Sequence, residues 1–213
     1  LFTQAQLNVP QILAENQPAG FLLLSDLGST TYLDTLTPSN ADKLYREAIV
    51  ALVQLQLASQ ANILPDYNTE FLQRELDLFS EWYLQRHLQM RLNSQQRDQL
   101  SACFNLLIKN NLAQSKVFVH RDYHSRNLML SPNINPGILD FQDAVFGPIT
   151  YDLTSLLRDA YIQWPEEQVI DWAIFYWESA RAVGLEVSPD FGDFFRDFEW
   201  MGLQRHLKIL GIF

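Results

Sequence analysis

Cysteine is almost missing from this sequence: Cys103 is the single one in 213 residues. An internal disulfide is therefore excluded, and the composition suits a reducing compartment. Positive charge is also scarce. The chain has 15 Lys and Arg against 25 Asp and Glu, a net charge of −10. That balance argues against nucleic acid or an anionic membrane as the main partner. No apolar run approaches the length of a membrane span, and no basic-then-apolar leader opens the chain. Internal repeats and low-complexity tracts are absent too. The expectation is a soluble, cytoplasmic protein with no nucleic-acid or membrane partner, its oligomeric state left open.

What is present is core-forming material. Hydrophobic residues make up 47% of the chain, enough for one good-sized domain or a domain plus part of another. The chain opens at Leu1 without Met and closes on Gly211-Ile212-Phe213, so both ends are expected to be processed or trimmed.

Turn residues 16–20 separate two short apolar runs, 9–15 and 20–25, and predict a hairpin. Asp26-Leu27-Gly28 then breaks the strand. Ser39 or Asn40 is placed to cap a helix that carries Tyr45, Ala48, Ile49, Leu52 and Val53 on one face. A second helix is expected over roughly 69–92 and a third from Ser94. Trp82, Phe79 and the Phe191–Phe198 cluster lie at helical spacing and read as core. At Lys116 the pattern changes to short strands: 117–119, 128–130 and 137–139, the last two joined by a Pro-Asn turn. The remainder is helical. Asp152 is placed to cap a helix over 153–162, Pro165 to open one ending near Gly184, and Ser188-Pro189 to start the last.

The chemistry concentrates between these strands. His120-Arg121-Asp122-Tyr123-His124-Ser125-Arg126-Asn127 is followed by Asp140-Phe141-Gln142-Asp143 at the end of the next apolar strand. Phosphoryl transfer asks for an oriented nucleophile, metal ions on the phosphates and little water. Asp122 is the candidate base for a substrate hydroxyl. Asn127 and Asp140 offer the hard oxygens that Mg²⁺ prefers. Asp122 or Asn127 alone reads as an ordinary turn former; the trio with Asp140 at this spacing reads as a kinase-like site. His120 and His124 stand at i, i+4, yet they are not a His-Glu-x-x-His pair and lie on a loop, so a zinc site is disfavoured. His120 is expected to fix the loop, and His124 either meets substrate or is structural. Arg121 and Arg126 read either as phosphate contacts or as surface and ion-pair residues.

On these residues the chain resembles the aminoglycoside phosphotransferase and choline kinase-like superfamily of small-molecule kinases. The shared pattern is His-x-Asp-x-x-x-x-Asn, here His120 to Asn127, with Asp140-Phe141 after a strand. The resemblance implies an α+β, protein-kinase-like two-lobed fold: a partial N-terminal lobe of hairpin and hinge over 1–28, and a mostly helical catalytic lobe over 29–213. It implies ATP and Mg²⁺ as cofactors. Ser25, Asp26 and Leu27 match the hinge whose backbone would bind adenine, and Asp152 matches an Asp that braces the catalytic loop. Stretches 74–84, 120–130, 138–165 and 194–213 are similar to the bacterial anomeric kinases of N-acetylmuramate and N-acetylglucosamine. That similarity implies a sugar 1-phosphate product in cell-wall recycling. Glu75, His124, Gln142, Asp143, Arg158 and Asp159 are then the polar residues expected to meet the sugar, although Arg158 and Asp159 also read as a helix-surface pair.

The chain departs from the superfamily in three places. Arg121 stands where many antibiotic kinases carry Gly. Gln142 replaces the Gly of a protein kinase's Asp-Phe-Gly, and no long activation segment precedes Tyr151-Asp152, which disfavours a protein substrate. A Gly-rich phosphate loop and a following strand Lys are not found, so this 213-residue form is expected to bind nucleotide weakly. The alternatives are another small-molecule kinase, of aminoglycoside, choline or homoserine type, and a catalytically impaired nucleotide-binding module.

Overall fold

The computed structural model describes Phe2 and residues 5–213. The expected hairpin forms from β1 (Ile12–Asn16) and β2 (Phe21–Leu24), antiparallel, with Asn16 opposite Phe21. A 3₁₀ turn over Gln17–Ala19 closes it, and Gly20 ends that turn at φ 73°, a left-handed angle that glycine adopts without strain. Both strands are solvent-exposed.

Beyond the hairpin come α1 (Tyr32–Thr35), α2 (Ala41–Leu57) and α3 (Thr69–Leu78). Asn40 does hold the cap position of α2, but its side chain turns back to accept the Thr37 N–H at 2.8 Å and leaves the helix end uncapped. The predicted helix over 69–92 is two elements. After Leu78 the chain widens into a π-helix over Phe79–His87, where the Leu88 N–H reaches back to the Tyr83 carbonyl. Trp82 corrects its core assignment. It is 45% exposed and lies under the Arg86 guanidinium, 3.8 Å from the ring centre.

α4 (Ser94–Leu112) starts from an Asn93–Gln96 capping box. Three strands follow closely: β3 (Lys116–Val119), β4 (Leu128–Met129) and β5 (Gly137–Ile138). A further strand, β6 (Val145–Pro148), pairs antiparallel with β3 from Lys116↔Pro148 to Val119↔Val145. Its Gly147 and Pro148 disguise it as a turn in the sequence. β4 and β5 form a two-rung ladder that bridges to Thr31 and Asn8.

The last helices are α5 (Tyr151–Leu157), α6 (Glu166–Ala182) and α7 (Phe191–Ile212). α5 ends five residues sooner than expected, and Asp152 is not its cap. Thr150 occupies that position, and Asp152 turns its carboxylate inward. Asp190 caps α7, accepting the Asp193 N–H at 2.9 Å.

The core joins these helices to β3 and β6. Tyr45 of α2 stacks flat on Trp172 of α6, 4.1 Å between ring centres, and Phe194, Phe198 and Met201 of α7 are buried. The product is an α+β arrangement of seven α-helices and three two-stranded sheets among the described residues. No helix among them is long and apolar enough to cross a membrane.

Candidate active site

Strand β3 ends in the interior, and its next residue, His120, is fully buried. His120 Nε2 donates to the Leu139 carbonyl at 2.8 Å, and Nδ1 accepts the Asp122 N–H at 3.3 Å. Both ring nitrogens are thus used by a neutral imidazole. Burial pushes its pKa down to about 4. The ring joins two strand ends, one before Asp122 and one before Asp140.

Asp152 holds the same loop from beneath. Its carboxylate accepts the His120 N–H at 2.6 Å and the Arg121 N–H at 3.0 Å. Burial raises its pKa to about 7, against the pull of those two N–H groups and of Arg205. Two of the five described non-glycine residues with left-handed backbone lie at this site: Arg121 at φ 78° and Asp140 at φ 66°. Each costs about 1–2 kcal/mol, and such strain collects at functional sites.

The loop brings three polar groups together. Asn127 Nδ2 donates to the Asp122 backbone carbonyl at 3.0 Å and to Asp140 Oδ2 at 3.3 Å. Gln142 Nε2 donates to Asp140 Oδ1 at 2.7 Å. No described side chain hydrogen-bonds the Asp122 carboxylate, which is half-buried at the loop tip. The Asp140 carboxylate and the Asn127 amide oxygen are hard donors of the kind Mg²⁺ takes together with phosphate oxygens and water; because Asn127 turns its Nδ2 toward Asp140, its amide would have to rotate for both oxygens to face one ion. Among the described residues no three His, Cys, Asp or Glu side chains converge into an all-protein metal cage.

The remaining sequence-predicted residues divide. His124 lines the loop beside Asp122; its ring meets Tyr161 edge-on at 5.5 Å, and its buried Nδ1 has no partner among the described residues. Burial holds its pKa below the ordinary histidine value, partly offset by Asp159. Asp143 is exposed, and its backbone carbonyl faces Arg121 at a long 3.5 Å. Asp159 is committed to the loop over 120–127. Its Oδ2 accepts the Ser125 N–H at 3.0 Å and the Ser125 hydroxyl at 2.5 Å. Arg158 is not half of a surface pair with Asp159. It pairs with Glu166 at 2.6 Å and Glu199 at 2.8 Å. Its pKa is raised chiefly by the Glu166 hydrogen bonds.

Glu75 lies within the protein, 5% exposed. It accepts from the Tyr67 hydroxyl and pairs with Arg121 at 3.2 Å and Lys208 at 2.9 Å. Burial works against the Lys208 charge, but Tyr151 and Glu75 outweigh it and hold its pKa above the ordinary lysine value. Arg205, also buried, donates to the Arg121 carbonyl at 3.0 Å, lies over the Tyr151 ring at 4.9 Å, and is close enough to Asp122 and Asp152 to feel both charges. Sequence reasoning missed Arg205 and Lys208. A signal was there: they continue the Phe194, Phe198, Met201 stripe at spacings of four and three, so charge sits on a core-facing register.

At the other edge, Ser25 is locked to Gln11. Its N–H donates to the Gln11 carbonyl at 2.9 Å, and its hydroxyl accepts the Gln11 N–H at 2.8 Å. Asp26 Oδ1 accepts the Gly28 N–H at 2.8 Å, and Leu27 touches the β4–β5 hairpin at Gly137. An apolar cavity of about 650 Å³ runs from the β1–β2 hairpin, at Ile12, Leu22 and Leu24, to Asp140 and Phe141. A larger cleft of about 930 Å³, between α3, the π-helix and α4, holds none of the residues above.

Solved structures with this architecture include a Plasmodium vivax ethanolamine kinase, at TM-score 0.66 and 11% identity, covering 97% of this chain and 62% of that one. An aminoglycoside phosphotransferase from Streptomyces rimosus, solved with ADP and streptomycin, aligns at TM-score 0.59 and 16% identity, covering 94% and 78%. These likenesses establish the kinase-like fold. In sequence the chain is 49% identical to the N-acetylmuramate/N-acetylglucosamine kinase of Pseudomonas aeruginosa over 213 residues, all of this chain. It is 50% identical to the protein of that name from Neisseria meningitidis over 210 residues, 97% of this chain. It spans 63% of the length of each of these relatives. The family model described as the phosphotransferase enzyme family matches residues 1–184, and the chain belongs to that family.

Proposed function

We propose that the protein is an ATP-dependent small-molecule kinase that phosphorylates the anomeric hydroxyl of N-acetylmuramate or N-acetylglucosamine. The observation that carries this reading is the free Asp122 carboxylate at the tip of a loop locked by His120 and Asp152, beside the Asn127–Asp140 pair. The relatives at 49% and 50% identity, both named as such kinases, supply the substrate class. In this reading Asp122 accepts the proton of the sugar's C1 hydroxyl as that oxygen bonds to the γ-phosphorus. The bond from phosphorus to the β–γ bridging oxygen breaks, and ADP departs. Asn127 and Asp140 would hold Mg²⁺, which neutralises charge on the phosphate oxygens. The Ser25 N–H is already taken by Gln11, so the Ser25 carbonyl and the peptide groups of Asp26 and Leu27 are the ones left for an adenine edge. Gln142 orients Asp140, and His124 faces the sugar. Residues 1–28 serve as hairpin and hinge and 29–213 as the catalytic lobe.

The test is a radiolabelled-ATP assay of the full-length protein against N-acetylmuramate, N-acetylglucosamine and kanamycin, with the phosphorylated carbon located by NMR. The expected product is a sugar 1-phosphate. Asp122→Asn should lower kcat by about 10²-fold or more. Label on kanamycin alone, or a folded Asp122→Asn protein with near-normal turnover, would sink the proposal.

A further inference from the structure

Arg121 immediately precedes Asp122 and holds a backbone angle that suits glycine. A larger residue persists there only where its surroundings over-determine it. Here four contacts do so. Its N–H goes to Asp152 Oδ1 at 3.0 Å, and its carbonyl accepts Arg205 Nη1 at 3.0 Å. Its guanidinium pairs with Glu75 at 3.2 Å and lies over the Phe71 ring at 4.7 Å. Glu75 is gripped in turn by Lys208 and the Tyr67 hydroxyl. Both peptide groups flanking residue 121 are therefore clamped, and its side chain is moored to α3 through Glu75 and Phe71. A glycine would remove the strain and every side-chain contact together.

We propose that Arg121 is a positioning residue. Moored on Glu75, which Lys208 holds from the other side, it fixes the rotation of the peptide that leads into Asp122, and so the direction in which the Asp122 carboxylate points. The inference rests on Asp122 acting as the base. It assigns Glu75 to this mooring, since its oxygens are already engaged by three partners inside the protein.

The experiment uses the full-length protein with Arg121→Gly, Arg121→Met, Arg121→Lys and Glu75→Gln. Folding is checked by circular dichroism, and kcat and KM are measured for both substrates. Arg121→Gly suits the backbone angle and leaves Glu75 paired with Lys208, so it is expected to fold. The glycine and methionine variants should lose kcat tenfold or more while both KM values stay within about threefold. Glu75→Gln should lose a similar factor, and Arg121→Met combined with Glu75→Gln should lose no more than the worse single change, because both cut one mooring. Arg121→Lys, which keeps a cation for Glu75, should recover part of the loss. Folded Arg121→Gly with kcat within twofold of the parent overturns the proposal, as does a raised sugar KM with unchanged kcat. Asp122→Asn is run alongside. If it is inactive while Arg121→Gly is normal, only the positioning role fails. If Asp122→Asn is itself active, the base assignment fails and the positioning role falls with it.

Discussion

His120 shows what a single buried side chain can settle. Its imidazole is neutral because protonation would destroy the acceptor that holds the Asp122 N–H. The folded pKa of about 4 lies below the ordinary 6.5. A depressed pKa means the unfolded chain binds the proton more tightly. The stabilisation from His120 is therefore fully present above pH 6.5 and is lost as the pH falls through 4. By pH 5 the loss should reach about 2 kcal/mol. Asp152 runs the other way. Its pKa is raised to about 7, so its contribution is present in acid and fades as the pH climbs through 7. Comparing denaturant unfolding of the parent and His120→Gln at pH 5 and pH 7.5 cancels the Asp152 term. The parent should lose more stability than the variant on acidification, and equal losses would contradict the assigned role. The histidine itself was legible in the motif. Its double hydrogen bonding was not, because its acceptor carbonyl lies 19 residues away on a second strand.

At the scale of elements, β6 matters more than its four residues suggest. One edge pairs with β3; at the other, the Tyr67 N–H donates to the Phe146 carbonyl at 2.9 Å. Gly147 makes this possible. A methyl group there would stand 2.7 Å from the Tyr67 Cβ. Gly147→Ala should therefore destabilise the protein by about 1–3 kcal/mol, the ordinary price of overpacking. It should also lower kcat, because Tyr67 carries one of the hydrogen bonds on Glu75. Thermal unfolding and steady-state kinetics on one preparation check both halves. The helices around the site were largely legible from apolar spacing. The switch from α3 into a π-helix was not, because an extra residue per turn depends on what packs against the segment and leaves no mark on local propensity.

The whole molecule is held by one core that spans helices far apart in sequence. Trp172 of α6 is fully buried, stacks on Tyr45 of α2, and donates its indole N–H to Asp42 at 3.1 Å. Trp172→Ala should cost about 3–5 kcal/mol, seen as a lower denaturant midpoint with an unchanged slope. A loss below about 1 kcal/mol would mean that α6 is not part of the same cooperative core.

The sequence by itself determined where the candidate site lies. Asp122, Asn127 and Asp140 stand at a spacing that short strands turn into a single loop cluster, and that cluster is local enough to be read without coordinates. Most helices were also determined there, since apolar period and cap residues are local signals. Only the tertiary structure decided what each charged residue is for. Arg158, Asp159 and Glu75 read as free polar groups near a substrate, yet each is engaged by partners within the fold. Arg205 and Lys208 were passed over in the sequence, yet Arg205 reaches the Arg121 carbonyl and Lys208 reaches Glu75. The physical reason is burial. A charge inside the protein needs a counter-charge within a few ångströms, and that partner is chosen by three-dimensional neighbourhood, which places α7 against α3 across the 112 residues between Leu78 and Phe191.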